Sequence, residues 1–164
     1  MDYQVNGLPL HVLLVHATVV LVPLASVCTV LSLLWPAARR RLGIVAPLLA
    51  LAALLLVPVT QQAGQWLAAR VDQTRLLDEH HAMAELMLPW AAALFAGATG
   101  QWLWFRSRAR SRSSGTHGSF PSRALAAVAA LAVLAACAGA TTTVIRAGES
   151  GSRAVWEGSF QQEP

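Results

Sequence analysis

Residues 7–35 read GLPLHVLLVHATVVLVPLASVCTVLSLLW, and this stretch decides the fold. Between Leu8 and Trp35 no side chain is acidic or basic except His11 and His16. At about 1.5 Å per residue, a helix of this length outspans a hydrocarbon core of about 30 Å. The stretch therefore predicts a membrane helix. Because an ionisable side chain inside a bilayer is costly, the two histidines point to a function or to specific packing.

The composition of the whole chain also indicates a membrane protein. Hydrophobic residues make up 55% of the 164 residues and charged residues only 12%, which is too little charge for the surface of a soluble protein of this size. The 12 basic residues are all arginines, and most lie in short segments between apolar stretches, where they report membrane topology. We therefore expect a lipid bilayer as the surroundings and no nucleic acid as a partner.

Four apolar stretches predict an all-α integral membrane four-helix bundle that forms a single domain. The predicted spans cover about residues 8–35, 44–66, 81–105 and 124–145. Residues 106–123 are rich in Ser, Gly and Arg and have no apolar periodicity, which predicts a flexible cytoplasmic loop.

The arginines also predict an orientation. Eight of them lie between the spans on one side, within residues 39–41 and 106–112 and at position 123. Cytoplasmic loops carry an excess of basic residues, so this side is predicted to be inside. The N-terminus and the C-terminus are then both outside.

Four of the five histidines consequently fall in one polar layer at the outer end of the bundle. His11 and His16 lie near the start of span one, and His80 and His81 lie at the start of span three. His117 lies in the predicted cytoplasmic loop, where we expect it to be solvated. The four histidines of the outer layer are the candidate haem or metal ligands.

Helix geometry restricts which of these histidines can meet. His11 and His16 are five residues apart, a net rotation of about 140°, so only one of them can face the bundle centre. His16 lies deeper and is followed seven residues later by Pro23. We therefore predict that His16 faces inward, while the sequence leaves open whether His80 or His81 does.

Other polar residues extend the same layer. Gln61 lies near the end of span two, and Thr142 and Arg146 lie near the end of span four. Glu85 comes four residues after His81 and shares its helix face. We predict that these four side chains lie in one polar layer with the histidines.

Three segments of the chain resemble a known family. The opening GLPLHVLLVH, the entry HHAMAELMLPW and the ending TTTVIRAGESGSRAVWEG resemble the bacterial four-helix membrane proteins of the domain-of-unknown-function family 2231. That family typically begins with a His-Pro-x-x-x-His-like motif, to which His11 and His16 correspond, although Val12 replaces the proline. The family's span-three histidine maps onto His80 or His81. The resemblance implies a multi-pass protein of the bacterial inner (plasma) membrane and no established activity.

The favoured function is a non-catalytic membrane module or accessory subunit. No serine is placed with a histidine and an acid as a nucleophile, and neither a glycine-rich phosphate loop nor a Cys-x-x-Cys motif occurs, so we do not expect an enzyme. In such a module the histidines hydrogen-bond within the bundle and fix the helix register. A homo-oligomer is one expected form of it.

Two alternatives use the histidines as ligands or relays. Imidazoles from spans one and three could hold haem b with bis-histidine ligation, which would make the protein an electron carrier with a redox partner. The second alternative is a transition-metal site with His11 or His16, His80 or His81, Glu85 and Met83 as ligands, or proton or solute transport that uses Glu85 and the histidines as relays.

Overall fold

A computed structural model describes residues 3–113 and 122–157 of the chain. The described residues form a short hairpin and six helices: β1 (Gln4–Val5), β2 (Leu8–Pro9), α1 (Leu10–Leu34), α2 (Pro36–Leu42), α3 (Val45–Ala68), α4 (Arg75–Glu85), α5 (Met87–Ser113) and α6 (Arg123–Trp156). The prediction of an all-α fold with long apolar helices is confirmed.

The four long helices form a bundle in which each packs against two neighbours. In order around the bundle they are α1, α3, α5 and α6, and α6 closes the ring against α1. The short helix α4 packs mainly on α6. Consecutive long helices run in opposite directions, so the bundle has two distinct ends.

The two ends differ in the residues that they carry. The start of α1, the end of α3, helix α4 and the end of α6 lie together, and we call this the histidine end because it holds His11, His80 and His81. The opposite end holds α2, the end of α5 and the start of α6, and we call it the arginine end. The predicted collection of histidines near one end is therefore observed for three of them.

The interior of the bundle is built from small side chains. Ala25, Ala50 and Ala53 are fully buried and pack with Val22 and Leu94 between the helices. Small residues let helix backbones approach closely, which is the usual way that membrane helices associate. Large apolar side chains instead point outward along the whole bundle, among them Val20, Leu24, Val27, Leu55, Leu131 and Ile145.

An interior of small side chains with large apolar side chains on the surface suits a bilayer rather than water. Within the described residues four helical stretches are long and apolar enough to cross a membrane: Leu10–Leu34, Val45–Ala68, Arg75–Ser111 and Arg123–Trp156. Exposed apolar surface of this extent would be a liability in water and is favourable against lipid. The chain is a multi-pass membrane protein.

Local sequence determines where the helices begin and end. Trp35 is extended because it precedes Pro36, and α1 therefore ends at Leu34. Gly43, with a φ of 48°, ends α2 in a conformation that disfavours side chains. Helix α4 begins after Thr74, whose hydroxyl accepts a hydrogen bond from the Leu77 amide at 3.3 Å.

The helices extend beyond the predicted spans. Helix α5 continues to Ser113, into the segment predicted as a loop, and α6 continues to Trp156, beyond the predicted end of the fourth span at residue 145. The latter helix has 34 residues, so it is about 51 Å long and overhangs a hydrocarbon core of about 30 Å. His117 and the rest of residues 114–121 lie outside the described residues.

A hairpin before α1 was not predicted. Asn6 and Gly7 both have positive φ, 52° and 77°, as a tight two-residue hairpin turn requires. The Tyr3 hydroxyl donates to Gln62 Oε1 at 3.2 Å, and the Tyr3 ring lies 6.4 Å from that of Trp66. The hairpin thereby fastens the start of α1 to the end of α3.

Candidate functional site

His11, on the first turn of α1, is held against α3. Its Nδ1 donates to the Thr60 carbonyl oxygen at 2.9 Å. The ring lies on Gly64, where a β-carbon would come within 2.9 Å of the imidazole. Because a carbonyl oxygen only accepts, Nδ1 is the donor in this bond, and Nε2 is not used by it.

His80 is held against α6 in a closely similar way. Its Nδ1 lies 3.1 Å from the Ser150 hydroxyl, which itself donates to the Ala147 carbonyl at 3.1 Å. The hydroxyl proton is thus used, and the imidazole is the donor in the first contact. A β-carbon at Gly151 would meet the ring at 3.1 Å. A glycine therefore provides the contact surface for each of the two rings.

The two rings meet each other, and a third histidine adjoins them. The ring centres of His11 and His80 are 6.4 Å apart, with a 75° angle between the planes, and those of His80 and His81 are 6.3 Å apart. We call these three residues the histidine cluster. It joins the start of α1 to α4, and its first two members have their orientation fixed by hydrogen bonds to α3 and α6.

His16 is not part of this cluster, and the prediction that it faces inward is wrong. Its side chain is exposed on the outside of the bundle, and its Nδ1 donates to the Val12 carbonyl of its own helix at 2.6 Å. The buried face of α1 instead runs through Thr18, Ala25 and Thr29. His11 precedes Thr18 by seven residues and so lies on this face, whereas His16 does not.

Of the four predicted polar neighbours, one makes a contact between helices. Gln61 Nε2 donates to the Ala84 carbonyl at 2.7 Å, which ties α3 to the end of α4. Glu85, Thr142 and Arg146 lie at the same end of the bundle but are exposed. The reason is register, because the neighbouring Thr143 occupies the buried face of α6 and donates to the Gly139 carbonyl at 2.8 Å.

The buried polar contact next to His11 is a threonine pair. The hydroxyls of Thr18 and Thr60 lie 3.2 Å apart across the interface of α1 and α3. Each hydroxyl also lies within hydrogen-bond distance of a carbonyl of its own helix, Leu14 at 3.0 Å for Thr18 and Leu56 at 2.9 Å for Thr60. Because a hydroxyl has one proton, one of the two donates across the interface while the other donates to its own helix. The polar layer of the histidine end is therefore formed mainly by His11, this pair and Gln61.

Among residues 3–113 and 122–157, no group of three or more His, Cys, Asp or Glu side chains is arranged to hold a metal ion. Met83, the predicted thioether ligand, instead lines an open groove of about 190 Å³ between α4 and α6, together with Leu76, Glu79, Arg146, Glu149, Ser150 and Arg153.

This arrangement of apolar helices with a polar end agrees with the comparison against known families. The family described as "Predicted membrane protein (DUF2231)" matches residues 7–164. The chain belongs to the DUF2231 family. The resemblance noticed in the sequence is thus confirmed. No curated protein and no solved structure matches the chain.

In this DUF2231 protein, the sequence did not identify Gly64, Gly151 or Ser150 as residues of the site. Gly64 and Gly151 lie in otherwise ordinary helical sequence, and each becomes important only because a ring from another helix lies on it. Their nearness to the histidines is set by tertiary packing. The sequence does contain a signal for His11. His11 precedes Thr18 by seven residues and so continues the small and polar face of α1.

Proposed function

We propose that this DUF2231 protein is a non-catalytic membrane module or accessory subunit. Its histidine end serves to join helices that the apolar core alone does not fix in register. The observation that carries the proposal is the matched attachment of two histidines, His11 to Thr60 and Gly64, and His80 to Ser150 and Gly151. Each ring makes one hydrogen bond to a neighbouring helix and packs on a glycine of that helix, as expected of a side chain whose role is packing.

The contacts of the two histidines contribute to the specificity of helix register rather than to total stability. Polar contacts between membrane helices average only about 0.6 kcal/mol, because an alternative pairing is usually within reach. An alanine-rich core offers several helix registers of similar packing energy, since its surfaces are nearly featureless. A ring that fits only one glycine and bonds only one carbonyl selects a single register.

The experiment replaces each histidine by asparagine and by alanine. The amide nitrogen of asparagine can take the place of Nδ1, whereas no asparagine atom reaches the position of Nε2. In a joining role, His11→Asn and His80→Asn unfold in detergent at nearly the midpoint of the unmodified protein, and His11→Ala and His80→Ala unfold at a lower midpoint. His16→Ala is the matched control. If asparagine and alanine are equally damaging at both positions, the proposed hydrogen-bonding role is wrong.

A second candidate function is electron transfer through haem b bound by His11 and His80. His11 and His80 would be the residues that hold the iron, because they come from different helices, their ring centres lie 6.4 Å apart, and the Nδ1 of each is already used in a hydrogen bond. Hydrogen bonding of Nδ1 is the usual means of orienting a ligating histidine, and it leaves Nε2 as the ligand. Haem would supply the one-electron chemistry, and a redox partner would be required.

Absorption spectra distinguish the two candidates. The protein is purified in mild detergent after expression with added haem, and spectra are recorded before and after reduction with dithionite. A Soret band that is lost in both His11→Asn and His11→Ala, and retained in His16→Ala, supports the haem site. A featureless spectrum from folded protein rejects it and leaves the joining role.

We further propose that the arginine end is cytoplasmic, with both termini outside, in the inner (plasma) membrane of a bacterium. The support is the concentration of arginine at α2 and at the end of α5. In a Cys28→Ala/Cys137→Ala background, an impermeant maleimide applied to intact cells should label Gln73→Cys and spare Ser107→Cys. The opposite labelling would reverse the orientation.

A further inference from the structure

The arginine end carries positive charge without any compensating acid. No acidic residue occurs between Asp2 and Asp72 or between Glu85 and Glu149, and these intervals contain all the residues of that end. The exposed arginines there include Arg40, Arg41, Arg106 and Arg123, which we call the arginine patch. A potential of one sign over the end of a bundle attracts anions.

Arg39 differs from this patch because its charge is used inside the protein. Its Nε donates to the Ser32 carbonyl at 2.8 Å and its NH2 group to the Leu33 carbonyl at 2.7 Å, both on the last turn of α1. The guanidinium also lies 3.3 Å from the centre of the Phe105 ring of α5. Burial lowers the pKa of Arg39, yet an arginine remains protonated in proteins.

This attachment fixes the position of the neighbouring arginines. Helix α2 has only seven residues, and Arg39 fastens it to α1 and to α5. Arg40 and Arg41 follow directly on the same short helix and are exposed. They are thus presented by an anchored element rather than by a loose loop.

The apolar surroundings of the patch identify the anion. Leu34, Trp35, Ile44 and Val45 flank α2 and are all exposed. Such residues lie favourably among acyl chains, while guanidinium groups one turn away reach the phosphate layer. A nucleic acid or a free anion would leave this apolar rim in water. A lipid bilayer covers both the rim and the patch.

Tryptophan–arginine pairs on α5 place the same boundary on a second helix. Arg106 lies 5.4 Å from the centre of the Trp102 ring, and Arg108 lies 4.9 Å from that of Trp104. Tryptophan is enriched at the level of the lipid headgroups, where its ring is apolar and its N–H is wet. The end of α5 and helix α2 therefore meet the membrane surface at one level.

We propose that the arginine patch binds the headgroups of anionic phospholipids in the adjoining leaflet. Arg40 and Arg41 make the phosphate contacts from α2, Arg106 contributes from α5, and Arg123 contributes from α6. The chemistry recognised is a phosphodiester with a net negative charge next to acyl chains. Arg39 is excluded from this role by its internal bonds.

The test measures binding of phosphatidylglycerol to the full chain in a neutral detergent, followed by tryptophan fluorescence, with phosphatidylcholine and inorganic phosphate as parallel titrants. Phosphatidylglycerol should bind more tightly than phosphatidylcholine, and inorganic phosphate should give no saturable change. The double variant Arg40→Gln/Arg41→Gln should bind phosphatidylglycerol roughly 10- to 30-fold more weakly, since each arginine near an anionic surface contributes a factor of about five.

The matched control removes two charges from the histidine end, as Arg70→Gln/Arg146→Gln, and should bind as the unmodified protein does. Arg123→Gln is a second variant of the patch and should weaken binding by about fivefold. Unchanged elution and an unchanged unfolding midpoint in detergent alone show that the variants fold. Equal binding of the two lipids, equal losses in patch and control variants, or saturable binding of inorganic phosphate would each overturn the proposal.

Discussion

The two ends of the bundle use polar side chains in opposite ways. At the histidine end, neutral groups reach from one helix to another, as in His11 to Thr60, His80 to Ser150 and Gln61 to Ala84. At the arginine end, Arg39 bonds the final carbonyls of the preceding helix. The histidine end depends on close packing between helices, and the arginine end depends on charge at the membrane surface.

This difference between the two ends predicts which substitutions should be harmful at each end. A neutral hydrogen bond between helices needs close backbone approach, so the histidine end should be sensitive to added volume. A charged group keeps its solvation near the headgroups, so the arginine end should be sensitive to lost charge and tolerant of changes in size. The following substitutions test this difference, from the largest expected effect to the smallest.

The largest effect should come from added volume at the histidine end. Gly64→Ala places a β-carbon 2.9 Å from the His11 ring, so the ring must move and its bond to Thr60 must break. We expect the free energy of unfolding to fall by about 2 kcal/mol, as for other overpacked sites. Unfolding monitored by tryptophan fluorescence in mixed micelles measures this change.

The control for this prediction is a glycine with free space around it. A β-carbon at Gly100 would meet nothing within 4 Å, so Gly100→Ala should raise stability by up to about 1 kcal/mol through helix propensity. Opposite signs at the two glycines support the close-fit description of the histidine end. Equal destabilisation would contradict it.

The next effect should come from lost charge at the arginine end. Arg39→Gln removes two charge-assisted hydrogen bonds to the Ser32 and Leu33 carbonyls, and we expect a loss of about 1–2 kcal/mol. Arg40→Gln, the exposed neighbour, should leave unfolding in neutral detergent unchanged. If the two variants unfold alike, Arg39 does not anchor α2.

A smaller effect is expected where the histidine end joins α3 to α4. Gln61→Ala removes the 2.7 Å bond to the Ala84 carbonyl, and a contact of this kind is worth about 0.6 kcal/mol on average. Gln65→Ala alters an exposed side chain of the same helix and serves as the control. Hydrogen exchange of the α4 amides should quicken in the first variant alone.

The smallest effect should come from an exposed ion pair. Arg75 and Glu79 are 3.0 Å apart on α4, with both side chains more than half exposed. Arg75→Gln should cost no more than about 0.5 kcal/mol, and the difference should disappear in high salt because exposed pairs are screened. A salt-independent loss above 1 kcal/mol would show that this pair has a structural role.

The sequence predicted the long apolar helices because their lengths and composition are local properties. It did not predict that His11 rather than His16 faces inward, since a pair of histidines five residues apart identifies no inner face by itself. The spacing of Thr18 and Thr29 from His11 contains that information. The contact surfaces on Gly64 and Gly151 could not be predicted, because each depends on which ring the fold brings from another helix.

The boundaries of the elements differed for physical reasons as well. Helix α4 is separated from α5 only at Leu86. Pro89, three residues later, has no amide to bond the Glu85 carbonyl and so explains the break, although the apolar run by itself predicts one continuous span three. The end of α6 is polar and was therefore not predicted as helix. Its residues remain helical because α4 packs along them and because Arg153 bonds Glu149 at 2.6 Å.

Because α6 extends beyond the hydrocarbon core without a break, it connects the bilayer directly to the residues of the histidine end. Ser150 and Gly151 belong to the same uninterrupted rod as Ala136 and Ala140 in the core. A helix tilts when the hydrocarbon layer becomes thinner. Such a tilt would move Ser150 and Gly151, which contact His80, while His11 would stay attached to α3. We therefore expect the separation of the two imidazoles to change with the thickness of the membrane.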